Sequence, residues 1–150
     1  MIPLHVHTNF SLLQGTIRID ELIKTCLTNN ISSIALTDTN AMNGLIQFAK
    51  QCYEVKINPI LGTCITEPHE EKKYLILLAK NNAGYSDICK IITQLKLNDD
   101  FSLVEIIKHH WKNLFLLTPS IELMKVAKKK NSIYAEIIPT PTNKKNALNT

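Results

Sequence analysis

The spacing of apolar residues along this chain switches back and forth between short solid runs and a helical rhythm of three and four. The runs IPLHVH (2–7), SSIALTD (32–38), INPILGTCIT (57–66), KYLILLAK (73–80), NLFLLTP (113–119) and SIYAEIIPT (132–140) are dense in β-branched and large apolar residues and predict strands. KYLILLAK is almost wholly apolar, as a strand covered on both faces is. Between the runs, Ile19, Leu22, Ile23 and Cys26 share one helical face, and Asn29-Asn30 ends that helix. A second helix is predicted from Met42, Leu45, Ile46, Ala49 and Tyr53 on one face. AGYSDICKIITQL, SLVEIIKHHW and SIELMKVAKKK read as three more, with Asn81 or Asn82 capping the first, and Ser102 with Glu105 forming a capping box on the second. EPHEEK is a charged turn.

Strands alternating with helices of this size predict an α/β protein with mostly parallel strands, because parallel neighbours need crossovers of helical length. Such sheets carry their working loops at the C-terminal ends of the strands. His5, His7, Asp38 and Gly62 to Cys64 all fall at predicted ends of that kind.

Composition narrows the class. The 150 residues, 45% hydrophobic and 20% charged, suit one folded domain rather than a disordered chain. The domain is predicted over 1–138, with PTPTNKKNALNT (139–150) as a tail or the start of a further segment. The four cysteines form no CxxC pair and no basic leader with a long apolar core opens the chain, so reduced thiols and a cytoplasmic location are expected. No apolar run approaches the roughly 20 residues of a membrane span, so no membrane contact is expected. The net charge of +4 gathers late, in KVAKKKN and TNKKNALN, which read as solvated helix ends and foresee DNA contact only indirectly.

The candidate chemistry starts with His5 and His7. Alternate residues of a strand point the same way, so the two imidazoles can share a cation, and neutral imidazoles suit zinc or manganese. Cys64, at a strand end, offers a thiolate if deprotonated or a small hydrophobe if not. His69 lies among glutamates in an exposed turn, and His109 and His110 sit at a helix end where the dipole favours positive charge. No serine, cysteine or lysine occupies a recognisable nucleophile motif.

In order along the chain, LHVHTNFSLLQG, ALTDTNAMNGLIQFAK, INPILG and LILLAKNNAGY resemble the successive motifs of the polymerase and histidinol phosphatase (PHP) family, in the version found at the N-terminus of bacterial DNA polymerase III alpha subunits. The resemblance implies a distorted (β/α) barrel of parallel strands with metal ions at its mouth, here incomplete at its C-terminal side and left with an unpaired edge. It also implies that four of six ligand positions carry other residues. Gln14, Thr39, Cys64 and Tyr74 stand where metal-binding members place an acid, a histidine, a carboxylate and a histidine, and a later acidic-and-histidine block has no counterpart. His5, His7 and Cys64 are then a vestigial ligand set. Asp38, Gln14, Thr39 and Tyr74 border it, with Asp38 orienting a histidine or backbone amides.

The function so implied is a non-catalytic scaffold with a degenerate metal site and no cofactor, zinc or manganese being the ions if any binds. Its partners would be the polymerase domain of a parent DNA-directed DNA polymerase, a nucleotidyltransferase, replicative or error-prone, and other replisome subunits. The competing reading is a metal-dependent 3′-5′ exonuclease or phosphoesterase, and a free-standing small phosphatase is a third. His5, His7 and Asp38 are expected within one side chain of each other, with Gln14 and Cys64 at the same pocket and Thr39 aimed into it.

Overall fold

The computed structural model describes residues 1–127 and 132–137. Its elements run α1 (Ile19–Thr28), β1 (Ser33–Leu36), α2 (Leu45–Glu54), β2 (Asn58–Glu67), β3 (Glu70–Ala79), α3 (Asn82–Leu97), α4 (Leu103–Lys108), β4 (Leu114–Thr118), α5 (Ile121–Val126) and β5 (Ser132–Ala135). The fold is mixed α/β, as the alternation predicts. The five strands form one sheet in chain order, but the mostly parallel expectation is corrected, because only β1–β2 and β4–β5 are parallel.

The two antiparallel pairings have local causes. Only Pro68 and His69 separate β2 from β3, and His69 turns the chain with a φ of 63°, so no crossover fits and a hairpin results. The connection from β3 to β4 contains two helices and returns to the end it left. Lys80 N–H donates to Asn113 O at 3.0 Å there, and β4 leaves antiparallel.

The predicted strand at 2–7 is not a regular strand. It lies beside β1, with Ala35 N–H donating to Pro3 O and Thr37 N–H to Val6 O, each at 2.9 Å. Acceptors three residues apart facing donors two apart leave an extra residue in the run, and Val6 N–H goes to Thr37 Oγ1 instead of a carbonyl. The chain bends at His5 as a result.

Alternation then divides the sheet. Ile34, Leu36, Ile65, Leu75, Leu77, Leu114 and Leu116 face the helices and form two buried clusters with them. In α1 the predicted stripe of Ile19, Leu22, Ile23 and Cys26 is buried as read. In α2 the stripe is Leu45, Phe48 and Cys52, while Ile46 and Tyr53 are exposed, so that expected face is rotated. Ser102 caps α4 by accepting from Val104 N–H, but Glu105 pairs with Lys108 at 2.7 Å instead of completing a capping box. Asn81 is the cap of α3.

The opposite face of the sheet is concave, and Ala35, Cys64, Ile76 and Leu78 are buried on it, with Ile60, Tyr74 and Leu117 packed around them. A flat sheet would hold segment 3–7 and β5 roughly 24 Å apart, at about 4.8 Å per strand. Instead His5 Nδ1 lies 2.6 Å from Glu136 Oε1, just beyond β5. The sheet therefore curls until its two edges meet at one end, as in a distorted barrel. The predicted tail at 139–150 lies outside the described residues.

Candidate functional site

The site grows from Thr37, Asp38 and Thr39, where β1 ends. Thr37 Oγ1 accepts from Val6 N–H and donates to Val6 O, pinning the N-terminal segment beside the strand. Asp38, 2% exposed, accepts from Thr8 N–H at 2.6 Å and from the Thr8 and Ser11 hydroxyls at 2.7 Å. These three bonds fix the loop 8–15. Gly15 completes its turn so close to the backbone that a Cβ there would lie 2.1 Å from Thr8 O.

The loop holds His7. Its Nδ1 lies 3.0 Å from Ser11 Oγ and 3.3 Å from Thr39 Oγ1. Ser11 spends its proton on Asp38 and Thr39 spends its own on Gln14 Oε1, so both hydroxyls are acceptors and His7 Nδ1 is the donor. His7 Nε2 is then a lone pair. It faces His5 Nε2 at 2.8 Å, and two lone pairs cannot meet at that distance, so His5 carries the proton between them. On its other side His5 Nδ1 meets Glu136 Oε1 at 2.6 Å, and Tyr74 OH donates to Glu136 Oε2 at 2.6 Å. A second proton therefore lies between His5 Nδ1 and Glu136 Oε1.

Burial lowers the pKa of His7 below its ordinary value, and the neighbouring His5 pushes it the same way, against the opposing pull of Asp38 and Glu136. Burial raises Tyr74, with the hydrogen bond to Glu136 adding to it. The Cys64 thiol is pushed up to about 12, first by burial and then by Glu136. It remains a thiol at neutral pH, behaving as the small hydrophobe of its two readings.

Whether a metal fits is decided by the donors. The two Nε2 atoms converge and both Nδ1 atoms are tied back, which is how ligating histidines are oriented. No third strong donor joins them. Asp38 is consumed by Thr8 and Ser11, Cys64 is protonated, and Glu136 sits behind His5 on Nδ1, not beside Nε2. Among the described residues no group of three or more His, Cys, Asp or Glu is placed to hold a metal ion. The residues do not fit a catalytic centre, where zinc takes three protein ligands or two ions share carboxylates.

The structure thus brings together His5 and His7, places Asp38 one hydroxyl away from His7, and pairs Thr39 with Gln14 at the same ring. Tyr74 reaches the group from the antiparallel β3 through Glu136. Cys64 is tied to the loop after β1, its N–H donating to Asp38 O and its carbonyl accepting from Asn40 N–H. The sequence reading missed Glu136, Ser11 and Thr8. Glu136 had a signal, as the sole charged residue in SIYAEIIPT, and Ser11 stands four residues after His7.

Residues 3–136 match the PHP domain family. The DNA polymerase III subunit alpha of Bacillus subtilis is 39% identical over 99 residues, covering 63% of this chain and 9% of that protein. That of Staphylococcus aureus strain COL is 28% identical over 116 residues, covering 76% and 11%. An error-prone DNA polymerase of Symbiobacterium thermophilum is 35% identical over 99 residues, covering 66% and 9%. The chain spans about a tenth of the length of these relatives. A solved amidohydrolase from Chromobacterium violaceum is more distant, at 15% identity and a TM-score of 0.47 over 89% of this chain and 46% of that one, too slight a likeness to fix topology. The ordered motifs, the curled sheet with histidines at its mouth and the match over nearly all described residues agree: the chain belongs to the PHP domain family.

Proposed function

We propose that this chain is the PHP scaffold of a DNA polymerase of the III alpha type, retained for its fold and without hydrolytic chemistry of its own. One observation carries the reading: among the described residues no carboxylate is directed at the Nε2 atoms of His5 and His7, because each nearby acid is committed to another partner. Without an anionic ligand nothing in the pocket holds two dications together or activates a water. The relatives are named as polymerases, and this domain would support the nucleotidyl-transfer domain of a parent chain, meet other replisome subunits and contact DNA only through them. No helix among the described residues is long and apolar enough to cross a membrane, and the place of action would be the cytoplasm.

A second reading has a specific observation behind it. The converging Nε2 atoms and the tied Nδ1 atoms have the orientation of ligands, which favours a metal-dependent phosphoesterase or 3′-5′ exonuclease using zinc or manganese. End-labelled primed DNA incubated with the purified chain and either ion separates the two. The scaffold predicts no shortening above an EDTA control, and shortening abolished by His5→Ala would establish the exonuclease.

A further inference from the structure

The structure shows what the histidines of this pocket hold. His5 comes from the segment outside β1, Glu136 from the residue after β5, and Tyr74 from the middle of β3. These are the two edges and the centre of the curled sheet. Tyr74 OH and His5 Nδ1 each take one oxygen of Glu136 at 2.6 Å, and His5 Nε2 continues to His7, whose Nδ1 reaches Ser11 and through it Asp38. Side-chain exposure at the central pair is 25% for His5 and 17% for Glu136, so the bonds are partly shielded from water. Glu136 N–H also donates to Thr118 O, which extends the β4–β5 ladder by one residue and aims the side chain across the mouth.

We propose that Tyr74, Glu136, His5 and His7 form a metal-free clasp that fastens the N-terminal segment to the end of β5 and holds the sheet in its curled shape. This assigns Glu136 a role, and it accounts for tyrosine at position 74. A phenol donates a single proton to the carboxylate, and its ring packs tilted against His5 with the centroids 5.5 Å apart. The proposal rests on the scaffold reading in one respect, that the pocket works without an ion.

The test uses the whole 150-residue chain in EDTA. A double-mutant cycle of His5→Ala and Glu136→Gln is read by denaturant unfolding, with Tyr74→Phe as a milder variant that keeps the ring. The clasp predicts that His5→Ala costs about fivefold to tenfold less in the unfolding constant once Glu136→Gln is present. It also predicts that hydrogen exchange quickens more at the Ala35, Thr37 and Glu136 amides than at Leu75 and Leu77 in the central strand, which change only by the factor lost in the global unfolding constant. Additive effects in the cycle, or protection lost evenly over the sheet, would overturn the clasp alone. In a separate EDTA-free arm, zinc that raises the unfolding midpoint of the unmodified chain but not of His5→Ala would overturn the clasp and the scaffold reading together.

Discussion

The two ends of the concave face are built on opposite terms. At the mouth, His5, His7, Asp38, Tyr74 and Glu136 satisfy one another, and no buried side-chain nitrogen or oxygen among the described residues lacks a partner. At the other end, Leu4, Ile60, Leu78, Phe115, Leu117 and Tyr134 line a cavity of about 640 Å³ that is open to solvent, with Phe115 38% and Tyr134 53% exposed. Polar closure at one end and apolar exposure at the other follow from geometry. The chain edges meet where side chains hydrogen-bond across the gap, and the other end stays open between mostly apolar side chains. The mouth is consequently the costly end to disturb, since a stranded buried polar group loses its full hydration, whereas a trimmed exposed hydrophobe loses only part of its burial.

Asp38→Ala should be the most damaging change, because it strands the buried Thr8 N–H and two hydroxyls without the carboxylate that accepts from all three. A loss of about 3 kcal/mol or more is expected in urea unfolding, with Asp38→Asn recovering part of it. Ile76→Ala, at a fully buried position midway along the face, should cost about 2–4 kcal/mol by the cavity it leaves. Phe115→Ala, in the open cavity, should cost about 1 kcal/mol, as its ring keeps solvent and the contact with Lys80 Nζ at 4.4 Å. Equal losses at Ile76 and Phe115 would erase the contrast between the closed and open ends.

The pH dependence sharpens the same contrast. His7 binds its extra proton less readily when folded than when unfolded, so below its ordinary value of 6.5 the unfolded chain takes up more protons. Stability from this residue is complete above that value and falls as the pH drops below it. The urea midpoint should decline from pH 7.5 to pH 5.5, and His7→Gln should flatten that decline. The smallest effect is expected outside both regions, where Arg18→Ala breaks an exposed pair with Asp20 and should shift stability by less than about 0.5 kcal/mol.

Much of this was legible in the sequence, for local reasons. The buried stripe of α1 follows from helical spacing, the place of Asp38 from the end of a predicted strand, and the histidine pair from the motifs whose resemblance marks it, since segment 2–7 is not the regular strand that alternation assumes. Strand direction was not, because a solid apolar run such as KYLILLAK buries equally well either way up, and direction is decided by what connects it. The charged turn in EPHEEK and a two-helix return gave antiparallel neighbours where a mostly parallel sheet was expected. The rotated face of α2 arose because Phe48 and Cys52 fill the space beneath it and leave Ile46 and Tyr53 to solvent. Glu136 escaped because its partner lies 131 residues away, and nothing local says which strand end will meet the N-terminal segment once the sheet curls.

On this reading hydrogen bonds, not a metal, close the mouth. Chain purified without chelators and then dialysed against zinc and manganese should retain far less than one equivalent of either by elemental analysis, and EDTA should leave its unfolding midpoint unchanged. Installing the ligands that the resemblance implies, with Gln14→Asp, Thr39→His, Cys64→Glu and Tyr74→His together, should raise metal uptake. One or more tightly held ions per unmodified chain, lost in His5→Ala or His7→Ala, would contradict the account.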